Sequence, residues 1–226
     1  MKDNTNTPAP IHISVVLDRS GSMSDIADDV VGGFNQWLSE QRKQEGAVTV
    51  TLAQFDSDGP FEVLIDDVPL REVTDLERAA FQPRGMTPLY DAVGRMVGRI
   101  DAGIARRHDL ELDREDQVVV IITDGYENAS REQTRKTVFD MIEERKQRGW
   151  VFVFLGANQD VYEAGEAMSI SQGNLKSWAQ TKAGTKQMFQ DLSKSTSAHR
   201  SRTRQQRLAS SEEFFEEDKS DEPSNG

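Results

Sequence analysis

Five oxygen-bearing side chains carry the chemistry open to this sequence. Asp18, Ser20 and Ser22 alternate in Asp18-Arg19-Ser20-Gly21-Ser22, Thr87 precedes Pro88-Leu89, and Asp124 sits in Thr123-Asp124-Gly125. Two carboxylates and three hydroxyls make a hard, all-oxygen donor set, which suits Mg²⁺, Mn²⁺ or Ca²⁺. The chain has no cysteine, so disulfides and thiolate metal sites are excluded. A metal that activates water also needs a positioned base. The three histidines, His12, His108 and His199, all lie outside these stretches and read as packing or surface residues. Neither a Gly-x-Ser-x-Gly elbow nor a Gly-x-x-x-x-Gly-Lys phosphate loop is present. The residues therefore favour binding over catalysis. Each piece alone has a structural alternative: Ser20 or Ser22 as a helix cap, Thr87 as an N-cap before Pro88, Asp124-Gly125 as a turn.

The flanking elements determine whether the five residues can meet. Ile11–Leu17 is an apolar strand that delivers Asp18, and Val118–Ile122 is a second one that delivers Thr123 and Asp124. The second is apolar without alternation, as expected of a strand covered on both faces. Ile26, Val30, Phe34, Trp37 and Leu38 fall at helical spacing in a helix from about Asp25 to Glu45. Val48–Phe55 and Phe61–Ile65 alternate across a Gly-Pro turn and predict an antiparallel hairpin, with the second strand at the sheet edge. A helix follows Pro88 to about Arg106. Ser130-Arg131-Glu132-Gln133 resembles a capping box that opens another helix. Trp150–Leu155 is a further strand, followed by a helix near Asp160–Met168. Segment 169–177 is ambiguous, with Ser169-Ile170-Ser171 its only strand-like run. A last helix spans about Trp178 to Leu192. Alternating strands and helices predict an α/β fold: a doubly wound, mostly parallel sheet with one antiparallel edge strand and helices on both faces. Right-handed crossovers then bring residues 18–22, 87 and 124 to one edge of that sheet.

In order and in context, Asp18-x-Ser20-x-Ser22, Gly85-Met86-Thr87-Pro88-Leu89 and Ile122-Thr123-Asp124-Gly125 resemble the metal-ion-dependent adhesion site (MIDAS) of von Willebrand factor A (VWA) domains. The likeness runs from about Ile11 to Leu192. It implies a Rossmann-like VWA fold with a Mg²⁺ site, Mn²⁺ or Ca²⁺ being alternatives. Ser20, Ser22 and Thr87 would offer hydroxyls, and Asp18 and Asp124 would bind the ion directly or through its waters. It also implies a protein partner that offers an Asp or Glu carboxylate to the metal. VWA adaptors for AAA+ ATPases and VWA proteins of stress-response systems set the functional expectation. A metal-dependent hydrolase and a structural VWA domain with an empty site stand as alternatives. Arg19 is expected to face solvent. Phe55, Asp56, Tyr126, Glu127 and Asn128 are candidates for the rim of the site.

The chain has 226 residues and a net charge of −12, with a pI of about 4.8. Acidity of this degree argues against nucleic acid as a partner, because phosphate attraction needs basic surface. Residues 1–10 are polar and predict a flexible N-terminus without the apolar core of a signal peptide. No apolar run is long enough to span a membrane, and the expectation is a cytoplasmic protein. The VWA domain is expected over residues 11–195. Beyond it, Arg200, Arg202, Arg204 and Arg207 give way to seven carboxylates between 212 and 222. Residues 196–226 therefore predict a disordered charged tail. Its Phe214-Phe215 pair, flanked by Glu213 and Glu216, suggests a segment able to place a carboxylate on the metal of its own or a neighbouring molecule, and so to promote self-association.

Overall fold

A computed structural model of the chain describes residues 9–157 and 160–215. The six strands are β1 (Ile11–Asp18), β2 (Val48–Phe55), β3 (Glu62–Pro69), β4 (Asp116–Thr123), β5 (Val151–Gly156) and β6 (Leu175–Ser177). They form one sheet in the order β3-β2-β1-β4-β5-β6, parallel throughout except for antiparallel β3 at the edge. The helices are α1 (Ala27–Arg42), α2 (Leu89–Asp109), α3 (Arg135–Lys146), α4 (Val161–Glu166), α5 (Lys182–Ser201) and α6 (Arg204–Ala209). This is the doubly wound architecture that the alternation of patterns predicts.

Two apolar layers sandwich the sheet. Ile13, Val15 and Leu17 of β1 pack with Val30, Phe34 and Trp37 of α1 and with Met188, Phe189 and Leu192 of α5. The opposite face joins Val16, Val119 and Ile121 to Val93, Met96 and Ile100 of α2 and to Val138 and Ile142 of α3. Alternate residues of one strand thus feed different layers, as the pleat demands. Helices α1 and α5 touch so closely that a Cβ on Gly33 would lie 2.1 Å from the Phe189 ring. Chain connection leads from β1 to β2 on one side and from β4 to β5 on the other. The winding therefore reverses between neighbouring β1 and β4, and ligands of open α/β sheets bind outside the carboxyl ends of the strands at such a switch point.

Three local expectations change. Ser130 does not cap α3: Thr134 does, its hydroxyl accepting from the Thr137 amide while the Thr137 hydroxyl answers the Thr134 amide. Ser130 instead donates to Glu127 and accepts from the Asp91 amide. The sixth strand lies at Leu175–Ser177 rather than at 169–171, where Ser169 turns with φ 63°.

The third change is the larger one. The chain does not become a disordered tail at residue 196: α5 continues to Ser201, α6 follows, and Phe214 and Phe215 are buried. The arginines that made this stretch look solvated serve as backbone caps. Arg200 donates to the Gln41 carbonyl at 2.6 Å and to the Glu45 carbonyl at 3.2 Å, satisfying the open C-terminus of α1. Arg207 donates to the carbonyls of His199, Arg200 and Ala9 and to Asp116. Phe214 packs edge-on to Phe215 and against the His199 ring. Residues 1–8 and 216–226, which carry the rest of the expected flexible ends, lie outside the described residues.

Candidate metal centre

The switch point collects the predicted residues. Asp18 ends β1 and is fully buried. Its Oδ1 accepts from the Ser20 amide at 2.7 Å, an Asx turn that swings the chain out of the strand. Its Oδ2 accepts from the Thr123 hydroxyl at 2.6 Å, across the β1–β4 seam. Asp124 follows β4 directly. Its Oδ1 accepts from the Ser22 hydroxyl at 2.8 Å, and the Ser22 and Ser20 hydroxyls lie 3.1 Å apart. Thr87 comes from the loop before α2 and is 3% exposed. Its backbone exchanges two hydrogen bonds with Asn128, which holds the loop after β4 against the loop before α2. A Cβ on Gly125 would lie 3.3 Å from Thr87 Oγ1 and 3.9 Å from Ser22 Oγ, so these two hydroxyls face the same small space. The structure therefore brings together all five residues read from the sequence.

The loops are locked to one another through the backbone. The Gly21 amide donates to the Gly85 carbonyl at 3.1 Å, and the Arg84 amide to the Arg19 carbonyl at 2.9 Å. Gly85 has φ +65°, and a Cβ there would meet Ser57 Oγ at 2.5 Å. Only glycine fits that conformation and that space together.

Arg19 does not face solvent. It is 3% exposed and lies against Asp56, with Nε–Oδ2 at 2.7 Å, while a terminal nitrogen reaches Glu62 at 2.7 Å. Its role is to tie the first motif to the β2–β3 hairpin. Phe55 and Asp56, expected at the rim, are buried: Phe55 in the core, Asp56 binding Arg19 and the amides of Asp58 and Gly59. Glu127 is committed to the amides of Tyr90, Ala129 and Ser130. Tyr126 and Met86 are more than half exposed, on the loops that carry Asp124 and Thr87. Two residues missed by sequence reading complete the site. Thr123 orients Asp18, and Gln180, from the loop before α5, donates to Asp124 Oδ2 at 2.5 Å and to the Ser22 carbonyl at 2.6 Å. Thr123 was visible in the motif; nothing local marks Gln180, which is 56 residues from Asp124.

The electrostatics fit a cation. Burial pushes the Asp18 carboxyl up to about 7, against the opposing hydrogen bonds from Thr123 and Ser20. Burial also raises Asp124, offset in part by Ser22 and Gln180. No lysine or arginine offsets either group among the described residues. Two buried carboxylates without countercharge, beside three hydroxyl oxygens, match what a hard divalent ion requires. The histidines lie elsewhere: His12 near the amino end of β1, His108 exposed at the end of α2, and His199 buried in α5.

Comparison with solved structures identifies the architecture. A von Willebrand factor type A protein from Catenulispora acidiphila superposes with a TM-score of 0.53 at 11% identity, over 84% of this chain and 43% of that one. The SpRpn10 VWA domain gives 0.58 at 11% identity, over 80% and 94%. Proximal thread matrix protein 1 of the mussel byssus, with a zinc-occupied MIDAS motif, gives 0.56 at 13%, over 84% and 46%. The chain thus spans less than half of the first and third of these proteins. No protein-family model and no curated protein matches the sequence. The chain has the von Willebrand factor A fold, and its five oxygen-bearing residues stand where that fold opens.

Proposed function

We propose that this chain is a metal-dependent protein-binding module of the MIDAS type. Asp18, Ser20, Ser22, Thr87 and Asp124 hold Mg²⁺, with Mn²⁺ or Ca²⁺ able to replace it, and an Asp or Glu side chain of a protein partner completes the site. The observation that carries this reading is the pair of buried carboxylates at the switch point with no cationic side chain among the described residues to balance them. When bound, the ion supplies positive charge that neutral hydroxyls leave incompletely offset, and so draws an acidic ligand. The chain's own residues do the rest. Thr123 and the Ser20 amide aim Asp18, Ser22 aims Asp124, and Asn128 sets Thr87. Exposed Met86 and Tyr126 offer apolar surface beside the site for a partner side chain.

A binding role is favoured over hydrolysis because no imidazole lies beside these residues to serve as a base. An adaptor role toward an AAA+ ATPase or a stress-response system, in the cytoplasm, extends the proposal by family analogy. Among the described residues no helix is long and apolar enough to cross a membrane. Self-capture by the chain's own end is narrower than the sequence suggests. Glu213 is held beside Gly173 at the amino end of β6, away from the metal residues; Glu216 lies outside the described residues.

The test is a thermal melt with and without Mg²⁺, paired with capture of an acidic partner. A ligand bound only by the folded state raises Tm by mass action. Mg²⁺ should raise Tm in the native protein and leave Asp18→Ala unmoved, and chelator should abolish capture. Equal shifts in both proteins, or capture that survives chelator, would refute the proposal.

A further inference from the structure

The amino end of the same sheet face holds a second buried cluster. Strand alternation turns His12, Ser14 and Val16 toward the α2 layer. His12 is in register with Thr49 of β2 and Gln117 of β4, and Thr51 stands two residues further along β2 on the same side. Glu115 immediately precedes β4, and Asp67 lies in β3, where the register shifts and φ is 52°. One ligand atom from each of His12, Asp67 and Glu115 lies within 4.8 Å of the other two. These residues, with Thr51 and Gln117, line a cavity of about 160 Å³ beneath Arg99 and Arg107 of α2.

The hydrogen bonds present the imidazole as a ligand. The Gln117 side-chain amide donates to the Glu115 carbonyl at 3.2 Å, which turns its Oε1 toward His12 Nδ1 at 3.1 Å. Nδ1 therefore carries the proton, and Nε2 accepts from the Thr51 hydroxyl at 2.9 Å, with the Ser14 hydroxyl 3.4 Å away. Thr51 Oγ1 already accepts from the Asp67 amide. A ring N–H fixed by an oxygen acceptor is the usual arrangement of a metal-ligating histidine, and rotation of the Thr51 hydroxyl would open Nε2 to an ion. Glu115 is 6% exposed; its Oε1 accepts from Thr49, but its Oε2 accepts no hydrogen bond. Asp67 Oδ1 is likewise buried and unmatched. Arg107 stands 3.2 Å from Glu115 Oε2 and Arg106 3.1 Å from Asp67 Oδ2. Arg107 offsets the Glu115 charge without hydrogen-bonding Oε2, and Arg106 bonds Asp67 Oδ2 while Oδ1 stays without a hydrogen bond.

We propose that His12, Asp67 and Glu115 form a second divalent-metal site, for a borderline transition-metal ion of the Zn²⁺ kind. One imidazole nitrogen and two carboxylate oxygens are a donor set that Zn²⁺ accepts at about 2.0–2.2 Å, with the fourth position left to water. Ligand atoms around such an ion stand about 3.4 Å apart. The three side chains must therefore close in by about 1 Å, and the cavity gives them room. The nitrogen donor sets this site apart from the all-oxygen site, which favours harder ions. His12 and Asp18 are six positions apart on β1, about 20 Å along the strand.

The experiment is Zn²⁺ titration of the whole chain in excess Mg²⁺, by calorimetry and by the visible absorption of Co²⁺ as a substitute. The native protein and Asp18→Ala should each bind one Zn²⁺ or Co²⁺ with imidazole ligation. Glu115→Gln and His12→Gln should weaken that binding at least tenfold, with circular dichroism confirming the fold. Asp67→Asn, at a half-buried position, serves if either of those two unfolds. Failure of Asp18→Ala to bind Zn²⁺, or undiminished binding in folded Glu115→Gln and Asp67→Asn, would overturn the second site without touching the first.

Discussion

The two ends of β1 treat buried charge in opposite ways. At its carboxyl end Asp18 and Asp124 are buried among hydroxyls, with hydrogen bonds but no cationic side chain among the described residues. At the amino end every described carboxylate near the sheet has an arginine: Glu115 has Arg107, Asp67 has Arg106, and Asp116 has both Arg204 and Arg207. An uncompensated buried carboxylate weakens the folded state until a cation arrives, whereas a paired one is already partly offset. The difference separates an end whose buried carboxylates have no cationic partner among the described residues from an end where arginines already carry part of the charge and a metal would add to them.

The largest effect should come from breaking a pair at the amino end. Arg207 is 3% exposed and bonds Asp116 along with three backbone carbonyls. Arg207→Ala should cost about 3 kcal/mol of unfolding free energy in urea, since it removes one of two partners of a largely buried carboxylate and leaves three backbone carbonyls open. A loss under about 1 kcal/mol would mean that the C-terminal segment is not part of the fold.

The converse at the carboxyl end is a gain. Asp18→Asn should raise Tm in chelator at pH 8, because it removes an ionised carboxylate from the interior. The same variant should lose the increment from Mg²⁺, with affinity down at least about tenfold. A fall in metal-free Tm would erase the contrast between the two ends.

Acid should act on the fold through His199. Burial first, and then nearby Arg207 and Arg202, push its pKa from 6.5 down to about 3, and its Nδ1 has no hydrogen-bond partner. Between those values the unfolded chain binds a proton that the folded chain does not. Stability is therefore intact above pH 6.5 and is lost as pH falls toward 3, by an amount on the order of a few kcal/mol. His199→Gln should flatten that slope in urea titrations at successive pH values; an unchanged slope would assign acid sensitivity elsewhere.

Gly85→Ala should be milder in stability, about 1–2 kcal/mol, from a left-handed φ and the approach of Ser57. It should also weaken Mg²⁺ binding, because the Gly85 carbonyl holds Gly21. The smallest stability change belongs to Tyr126→Ala, within about 0.5 kcal/mol at an exposed position. Its effect should show only in partner capture, and unchanged capture would remove Tyr126 from the binding surface.

Much of the site was legible because its signals are local. Asp18, Ser20 and Ser22 share one turn, and Thr87 and Asp124 each sit at an element boundary marked by Pro88 or Gly125. The sheet was legible because continuous apolar runs such as Val118–Ile122 have few other places to go. Arg19 shows where such reading stops. Charge and position inside a loop pointed to solvent, yet Asp56, 37 residues away, takes it into the interior. Arg200 misled for the same reason, since its acceptors are carbonyls at and just past the end of α1, more than 150 residues distant.

By itself, then, the sequence determined the alternation of strands and helices, the edge hairpin and the placing of five oxygen-bearing residues at strand ends and helix starts. These follow from periodicity and turn chemistry within a few residues. Only the tertiary structure decided that Thr123 and Gln180 orient the carboxylates, that Arg19 turns inward, and that residues 196–215 complete the core. It alone also decided that His12, Asp67 and Glu115 meet at the far end of β1. Each of these rests on partners brought together by sheet order and helix packing, where the burial of a polar group depends on what stands opposite it and leaves no mark in the neighbouring residues.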